Sequence, residues 1–229
     1  MKKQSSAFAL SMLGFRISTT EDSNPASAKS FKRTFDLVVV LAVLFTLSPL
    51  IILLILSLLA LQGRPILFRH KRIGFGGKEF SCLKFRTMVS DGDSVLRRHL
   101  AENPGARVEW ETSQKLKRDP RITPLGQVLR KTSVDELPQL INILKGDMSL
   151  VGPRPIVKDE VKHYGPHIAQ YFKVRPGLTG LWQVSGRNDV TYASRVKMDM
   201  TYVDKVSFAT DLVILLRTIP AVLKSRGSY

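Results

Sequence analysis

The sequence predicts a mostly helical α/β fold with one small β-hairpin, a single membrane-associated domain joined to a kinked, re-entrant apolar helix. Three observations carry that expectation. The stretch from Leu37 to Leu61 holds no charged residue. Strand-like runs flank a glycine cluster at Gly74, Gly76 and Gly77. From Ser90 onward, apolar residues recur at helical spacing between proline and glycine stops. The resulting division is a flexible tail over 1–29, a membrane hairpin over 30–63 and a folded domain over 64–229.

The membrane segment is interrupted only by Thr46, Ser48, Pro49 and Ser57. At ~1.5 Å per residue it reaches roughly 37 Å, against a hydrocarbon core of ~30 Å. Pro49 lacks an amide donor and its ring clashes with the carbonyl four residues back, so Ser48-Pro49 is the candidate hinge. Both flanks are basic, with Lys29, Lys32 and Arg33 before and Arg64, Arg69, His70, Lys71 and Arg72 after. Positive residues favour the cytoplasmic side, so two basic flanks favour a hairpin returning to that face; a kinked single span is the alternative. The N-terminal residues mimic a signal peptide, but the AxA-like Ala26-Ser27-Ala28 lies beyond Glu21 and Asp22, far from the apolar patch.

The formal charge is +16, and from Gln62 onward lie 29 of the 35 Lys and Arg against 16 of the 19 Asp and Glu. Such an excess asks for an anionic partner, and the membrane segment favours lipid headgroups and phosphorylated substrates over nucleic acid. One cysteine, Cys82, excludes an intramolecular disulfide and a Cys-rich metal site.

The hairpin pairs Pro65–Phe68 with Glu79–Phe85 across the glycines, which lack P-loop spacing. Its second strand runs into Lys84-Phe85-Arg86, whose two cations alternate onto one face, either a solvated edge or a site for an anion. Ser90-Asp91-Gly92-Asp93 predicts a capping box and a helix ended by Asn103-Pro104-Gly105. A second helix is expected over 106–118, and Thr123-Pro124 caps a short one, PLGQVLRK.

Leu137, Leu140, Ile141 and Leu144 then recur at i, i+3, i+4 and i+7, a helix ended by Gly146 and starting near Ser133 to Asp135, since Pro138 must lie in its first turn. Asp135 and Glu136 therefore sit at its N-terminus, where free amides and the dipole should keep both carboxylates ionised and help hold a phosphate. Acidic residues in a first turn are ordinary capping chemistry. What singles these out is the surrounding cation set of Arg118, Arg121, Arg130, Lys131 and Arg154, the last fixed between Pro153 and Pro155.

A helix broken at Gly165-Pro166 is expected over 159–172. The run 175–187 is either a structured loop or the wall of a nucleotide pocket, with Arg175 and Arg187 toward phosphate and Trp182 packed beneath. Helices are expected from Tyr192 to Lys205 and from Phe208 to Leu223; the second bears a stripe of Leu212, Leu215, Leu216, Ile219 and Leu223, read as core packing against the bilayer-proximal face with membrane contact as the alternative.

Together the Ser48-Pro49 hinge, KFRTM at 84–88, DPRITPLG at 119–126, LRKTSVDELPQLINILKGDMSLVGPRP at 129–155 and RPGLTGLWQVSGR at 175–187 resemble the bacterial sugar transferase family, the monotopic phosphoglycosyl transferases. The similarity covers about residues 30 to 229 and is strongest toward exopolysaccharide galactose phosphotransferases. The resemblance implies an enzyme on the cytoplasmic face of the bacterial inner membrane that moves a hexose 1-phosphate, galactose or glucose, from a UDP-sugar to undecaprenyl phosphate and releases UMP. It implies Asp135 as nucleophile and Mg²⁺ ligand, Glu136 in an assisting role, and Arg130 and Arg154 at phosphate; Lys84, Arg86, Arg175 and Arg187 complete the expected binding set. Membrane lipids, a second copy of the chain and downstream glycosyltransferases are the further partners it suggests. A membrane-anchored basic binding or scaffold protein is the competing class, but an acidic pair inside the basic field is unhelpful for holding a polyanion.

Overall fold

The computed structural model describes residues 25–185 and 190–223; most of the expected tail, and Arg187, lie outside the described residues. Helix α1 runs from Pro25 to Gln62 with Pro49 inside it. It is helical throughout rather than two arms separated by a break. Proline removes the amide that would bond the carbonyl of Phe45, and Ser48 Oγ donates to that carbonyl at 2.8 Å. Phe45 is 84% exposed, so an unpaired carbonyl there would face solvent or lipid. The Ser48-Pro49 pair thus carries its own repair.

Both ends of α1 are bound to the same domain while its middle is bare. Near the N-terminal end Val40 is fully buried among Ile143, Tyr202 and Ile214, and near the C-terminal end Leu58 is fully buried with Phe85 and Leu129. Between them Leu41, Phe45, Leu50, Ile52, Leu53 and Leu56 are exposed. The basic flank before the segment grips protein: Arg33 donates to the carbonyls of Ile143 at 2.6 Å and Leu144 at 3.0 Å, and Lys32 pairs with Asp211 and donates to the Val151 carbonyl. Asp36, also buried, accepts from Ser149 Oγ at 2.7 Å.

Strands β1 (Leu67–Ile73) and β2 (Glu79–Phe85) form the expected antiparallel hairpin, with Leu67 opposite Phe85 and Ile73 opposite Glu79. β1 is longer than anticipated, since Arg69–Arg72 are strand rather than a basic flank. Gly76 and Gly77 turn the chain at φ 65° and 74°, a region that side chains disfavour. Helix α2 (Gly92–Glu102) starts without the capping box: Asp91 is its N-cap but makes no side-chain cap bond. Helix α3 (Pro104–Ser113) stops short of the predicted end, at Gln114 with φ 53°. Helix α4 (Pro124–Lys131) is as predicted, with Thr123 Oγ1 accepting from the Gly126 amide at 2.9 Å.

A single 3₁₀ turn, Val134–Glu136, precedes α5 (Gln139–Lys145), which Gly146 ends at φ 87°. Strand β3 (Ser149–Val151) pairs in parallel with β4 (Gly177–Thr179), a second small sheet that local patterning did not signal. Between them α6 (Val161–Tyr164) and α7 (Ile168–Tyr171) flank the expected break at Gly165. Short α8 (Leu181–Ser185) leads to α9 (Tyr192–Asp204) and α10 (Phe208–Leu223), which continues past Pro220. The apolar stripe of α10 corrects the sequence reading, because Leu212, Leu216 and Ile219 are exposed whereas Thr210, Asp211 and Ile214 on the other side are buried.

Candidate active site

The site forms where β2, the turn before α5 and the segment after β3 converge. The left-handed Ser133, φ 58°, turns the chain so that the next 3₁₀ turn presents Asp135 and Glu136 to the same strand. Lys84 of β2 bridges them, its Nζ 2.7 Å from Glu136 Oε1 and 3.8 Å from Asp135 Oδ2. On α4, Arg130 Nε donates to Thr87 Oγ1 at 2.8 Å. Arg154 lies over the Trp182 ring at 5.8 Å, held by a Pro-Arg-Pro backbone whose central carbonyl accepts from Tyr171 OH at 3.0 Å.

These side chains line one cleft of about 1340 Å³. That exceeds the ~300–1,000 Å³ usual for one drug-sized ligand. One wall is cationic, with Arg72, Lys84, Arg130 and Arg154; another is apolar, with Leu137, Leu178, Leu215 and Val222. The cleft therefore suits a charged group next to a greasy one.

Electrostatics separate the two carboxylates. Asp135 is 8% exposed, and burial lifts it to about 6, with the charge of Glu136 adding and Lys84 and Arg130 opposing. This corrects the expectation that a helix end would hold it low: the turn is one 3₁₀ step, and desolvation outweighs the few amides it offers. Burial also works against ionisation of Glu136, but the charge and hydrogen bond of Lys84, with Arg154 and Arg72, hold it below its ordinary value. Asp135 is a desolvated, basic carboxylate, and Glu136 is an anion pinned to Lys84.

Comparison with known proteins identifies the family. The profile described as bacterial sugar transferase matches residues 27–225. The chain belongs to the bacterial sugar transferase family. It is 53% identical over 198 residues to the exopolysaccharide production protein ExoY of Sinorhizobium fredii, covering 86% of this chain and 88% of that protein. It is 51% identical over 203 residues to an undecaprenyl-phosphate galactose phosphotransferase of Salmonella typhimurium, covering 89% of this chain and 42% of the relative. A UDP-glucose:undecaprenyl-phosphate glucose-1-phosphate transferase of Caulobacter vibrioides is 37% identical over 206 residues, covering 86% and 72%. The protein is thus a sugar-phosphate transferase.

Within this sugar transferase, Lys84, Arg130, Asp135, Glu136 and Arg154 come together as the sequence suggested. Arg86 reaches the cleft edge, but its guanidinium donates to Ser90 Oγ at 2.9 Å, to the Gly63 carbonyl at 3.0 Å and to the Gln62 carbonyl, locking the end of α1. Arg175 lies apart from the cleft lining, donating to the Gly146 carbonyl at 2.7 Å and covering Phe75. Arg118 and Lys131 are exposed and outside the lining, and Arg121 is matched by Asp119 at 2.6 Å. The sequence reading missed His70, Arg72 and Thr87. Strand alternation back from Lys84 was the signal for the first two, had β1 been carried beyond Phe68.

Proposed function

We propose that the enzyme transfers hexose 1-phosphate from a UDP-hexose, galactose or glucose, to undecaprenyl phosphate on the cytoplasmic face of the bacterial inner membrane, releasing UMP and starting an exopolysaccharide repeat. The observation that carries this reading is Asp135: a buried carboxylate of raised basicity, flanked by Lys84 and Arg130, in a cleft that joins cationic and apolar walls. An Asp135 oxygen attacks the β-phosphorus, forming an acyl-phosphate O–P bond as the bond to the bridging oxygen breaks and UMP leaves with its electron pair. A phosphate oxygen of the lipid then attacks the same phosphorus, and the Asp135 carboxylate departs. Both nucleophile and leaving group are anions, so positive charge governs both steps.

Lys84, Arg130 and Arg154 supply that charge. Glu136, held ionised, is poorly suited to carry a proton; its task is to fix Lys84 beside the reacting carboxylate. Among the described residues no cluster of three metal-ligating side chains exists. Mg²⁺ is nonetheless compatible with the site, because this ion is commonly held by one carboxylate together with substrate phosphates and water, and Asp135 would be that carboxylate. When bound it would neutralise diphosphate charge.

Both ends of α1 dock on one domain and its exposed apolar middle carries the Ser48-Pro49 pair. This supports a re-entrant segment that enters and leaves on the cytoplasmic side.

Enzyme mixed with UDP-hexose in the absence of lipid tests the chemistry. A stoichiometric burst of UMP and a hexose-phosphate mass on the Asp135 peptide are expected, and both should vanish in Asp135→Asn. UMP release that begins only after undecaprenyl phosphate is added would refute the covalent route.

A further inference from the structure

The sheet wall of the cleft carries one titratable side chain to which the transfer chemistry gives no task, His70. In the register of the hairpin His70 stands opposite Cys82, and Lys84 stands opposite Phe68, so His70, Arg72 and Lys84 share one face of the sheet. Diagonal neighbours on such a face lie ~7–8 Å apart. His70 lines the same cleft as Asp135, Glu136 and Arg154.

Its hydrogen bonding defines its chemistry. Arg72 Nη2 lies 3.2 Å from His70 Nδ1. A guanidinium only donates, so Nδ1 must accept and the imidazole carries its proton on Nε2. Arg72 is itself anchored, with Nη1 donating to the Pro155 carbonyl at 3.2 Å and lying 3.5 Å from Glu160. Strand β1 is tied to the same segment through the Ile73 amide, which donates to the Ile156 carbonyl at 2.8 Å. The ring is thus fixed relative to Arg154. Burial first, then the charges of Arg72, Lys84 and Arg154 against that of Glu160, push His70 below its ordinary range, which agrees with a neutral ring. Among the described residues, Nε2–H has no hydrogen-bond partner.

Neither proposed chemical step needs a proton from this ring, and in that reading the diphosphate would face Lys84, Arg130 and Arg154, which line the same cleft. A neutral, fixed N–H donor beside the phosphate site is suited to an uncharged oxygen carried by that phosphate. We propose that His70 reads the donor sugar, with Nε2–H donating to a hexose hydroxyl and so setting the preference between hexoses that differ in hydroxyl orientation. This rests on the transfer reaction proposed above and names a specificity-determining residue for it. His70 is half-buried, and once substrate covers the ring a mismatched hydroxyl would leave Nε2–H without a partner, which is how a hydrogen-bonding site discriminates between analogues.

The test compares kcat/KM for UDP-galactose and UDP-glucose, with undecaprenyl phosphate as acceptor, in wild-type, His70→Ala and His70→Gln full-length enzyme. The ratio of the two donors within one preparation is independent of how much of that preparation is folded. His70→Ala should shrink the ratio by about tenfold or more, and His70→Gln, which retains an N–H donor, should restore part of it. An equal fall for both donors would assign His70 to phosphate, uridine or the support of Arg72 and would overturn the proposal. So would a wild-type enzyme that uses both donors equally well. If the wild type transfers neither sugar phosphate to lipid, the transfer reaction itself fails, and the role of His70 with it; transfer with an unchanged ratio refutes His70 alone.

Discussion

Replacing Asp135 with Asn keeps the side chain's shape and removes its charge, and the structure predicts a dead enzyme that is more stable than the wild type at neutral pH. Burial is the dominant cause that lifts the Asp135 carboxyl from 3.8 to about 6. At about 1.4 kcal/mol per pH unit this corresponds to an upper bound of about 3 kcal/mol of folding free energy. Below pH 3.8 the residue is neutral in both folded and unfolded chains. As pH rises toward about 6, the unfolded chain ionises while the folded one keeps its proton, so stability falls; above that both are charged and the cost is fully present. Asn carries no such cost. For a chain of this size about 1 kcal/mol moves the melting temperature by ~2–4 °C, so Asp135→Asn should melt several degrees above wild type at pH 8. The difference should shrink toward zero near pH 4. Circular-dichroism melts of both proteins in one detergent across that range measure it. Stabilisation of a carboxylate by a helix end predicts the opposite sign, a loss of ~0.3–1 kcal/mol on removing the charge. A variant that melts below wild type at pH 8, or a difference that is flat with pH, would refute the burial argument.

Gly126 tests how the Arg130 helix is seated: a Cβ there would meet the Thr87 carbonyl oxygen at 2.1 Å, so Gly126→Ala must push α4 away from the segment that holds Arg130. Overpacking of this kind costs about 1–3 kcal/mol, and the donor KM should rise along with a lower melting temperature. For topology, Ser30→Cys and Arg64→Cys, made singly in a Cys82→Ser background, should both be shielded from a membrane-impermeant reagent outside intact cells; labelling of one alone would sink the hairpin. Pro49→Leu should favour a straight span and expose one of the two positions. Excess EDTA should abolish turnover and Mg²⁺ restore it, and full activity in chelator would remove the ion from the mechanism.

Much of the site's location was legible because its signals are local. Thr123-Pro124 sets where α4 begins and Gly146 where α5 ends, through caps that act within a few residues, whereas the start of α5, expected near Ser133 to Asp135, lies at Gln139 beyond a separate 3₁₀ turn. The apolar stretch around Ser48-Pro49 and the acidic pair among cations were visible for the same reason. The destination of each cation was not. A guanidinium binds whichever carbonyl the fold brings near, and for Arg175 that is Gly146, 29 positions away, while for Arg86 it is Gln62, 24 positions away.

Legible along the chain were the long apolar segment, the order of most helices and the presence of a carboxylate pair beside basic residues, all properties of sequence neighbours. The tertiary structure decided the charge behaviour of that pair. Lys84 reaches Glu136 across 52 positions, and the packing that buries Asp135 reverses the effect expected of a helix end, because desolvation depends on what surrounds a group and not on what precedes it. Register decided His70 and Arg72 in the same way: pairing of Phe68 with Lys84 turns both toward the cleft, and a shift of one residue would have turned them away.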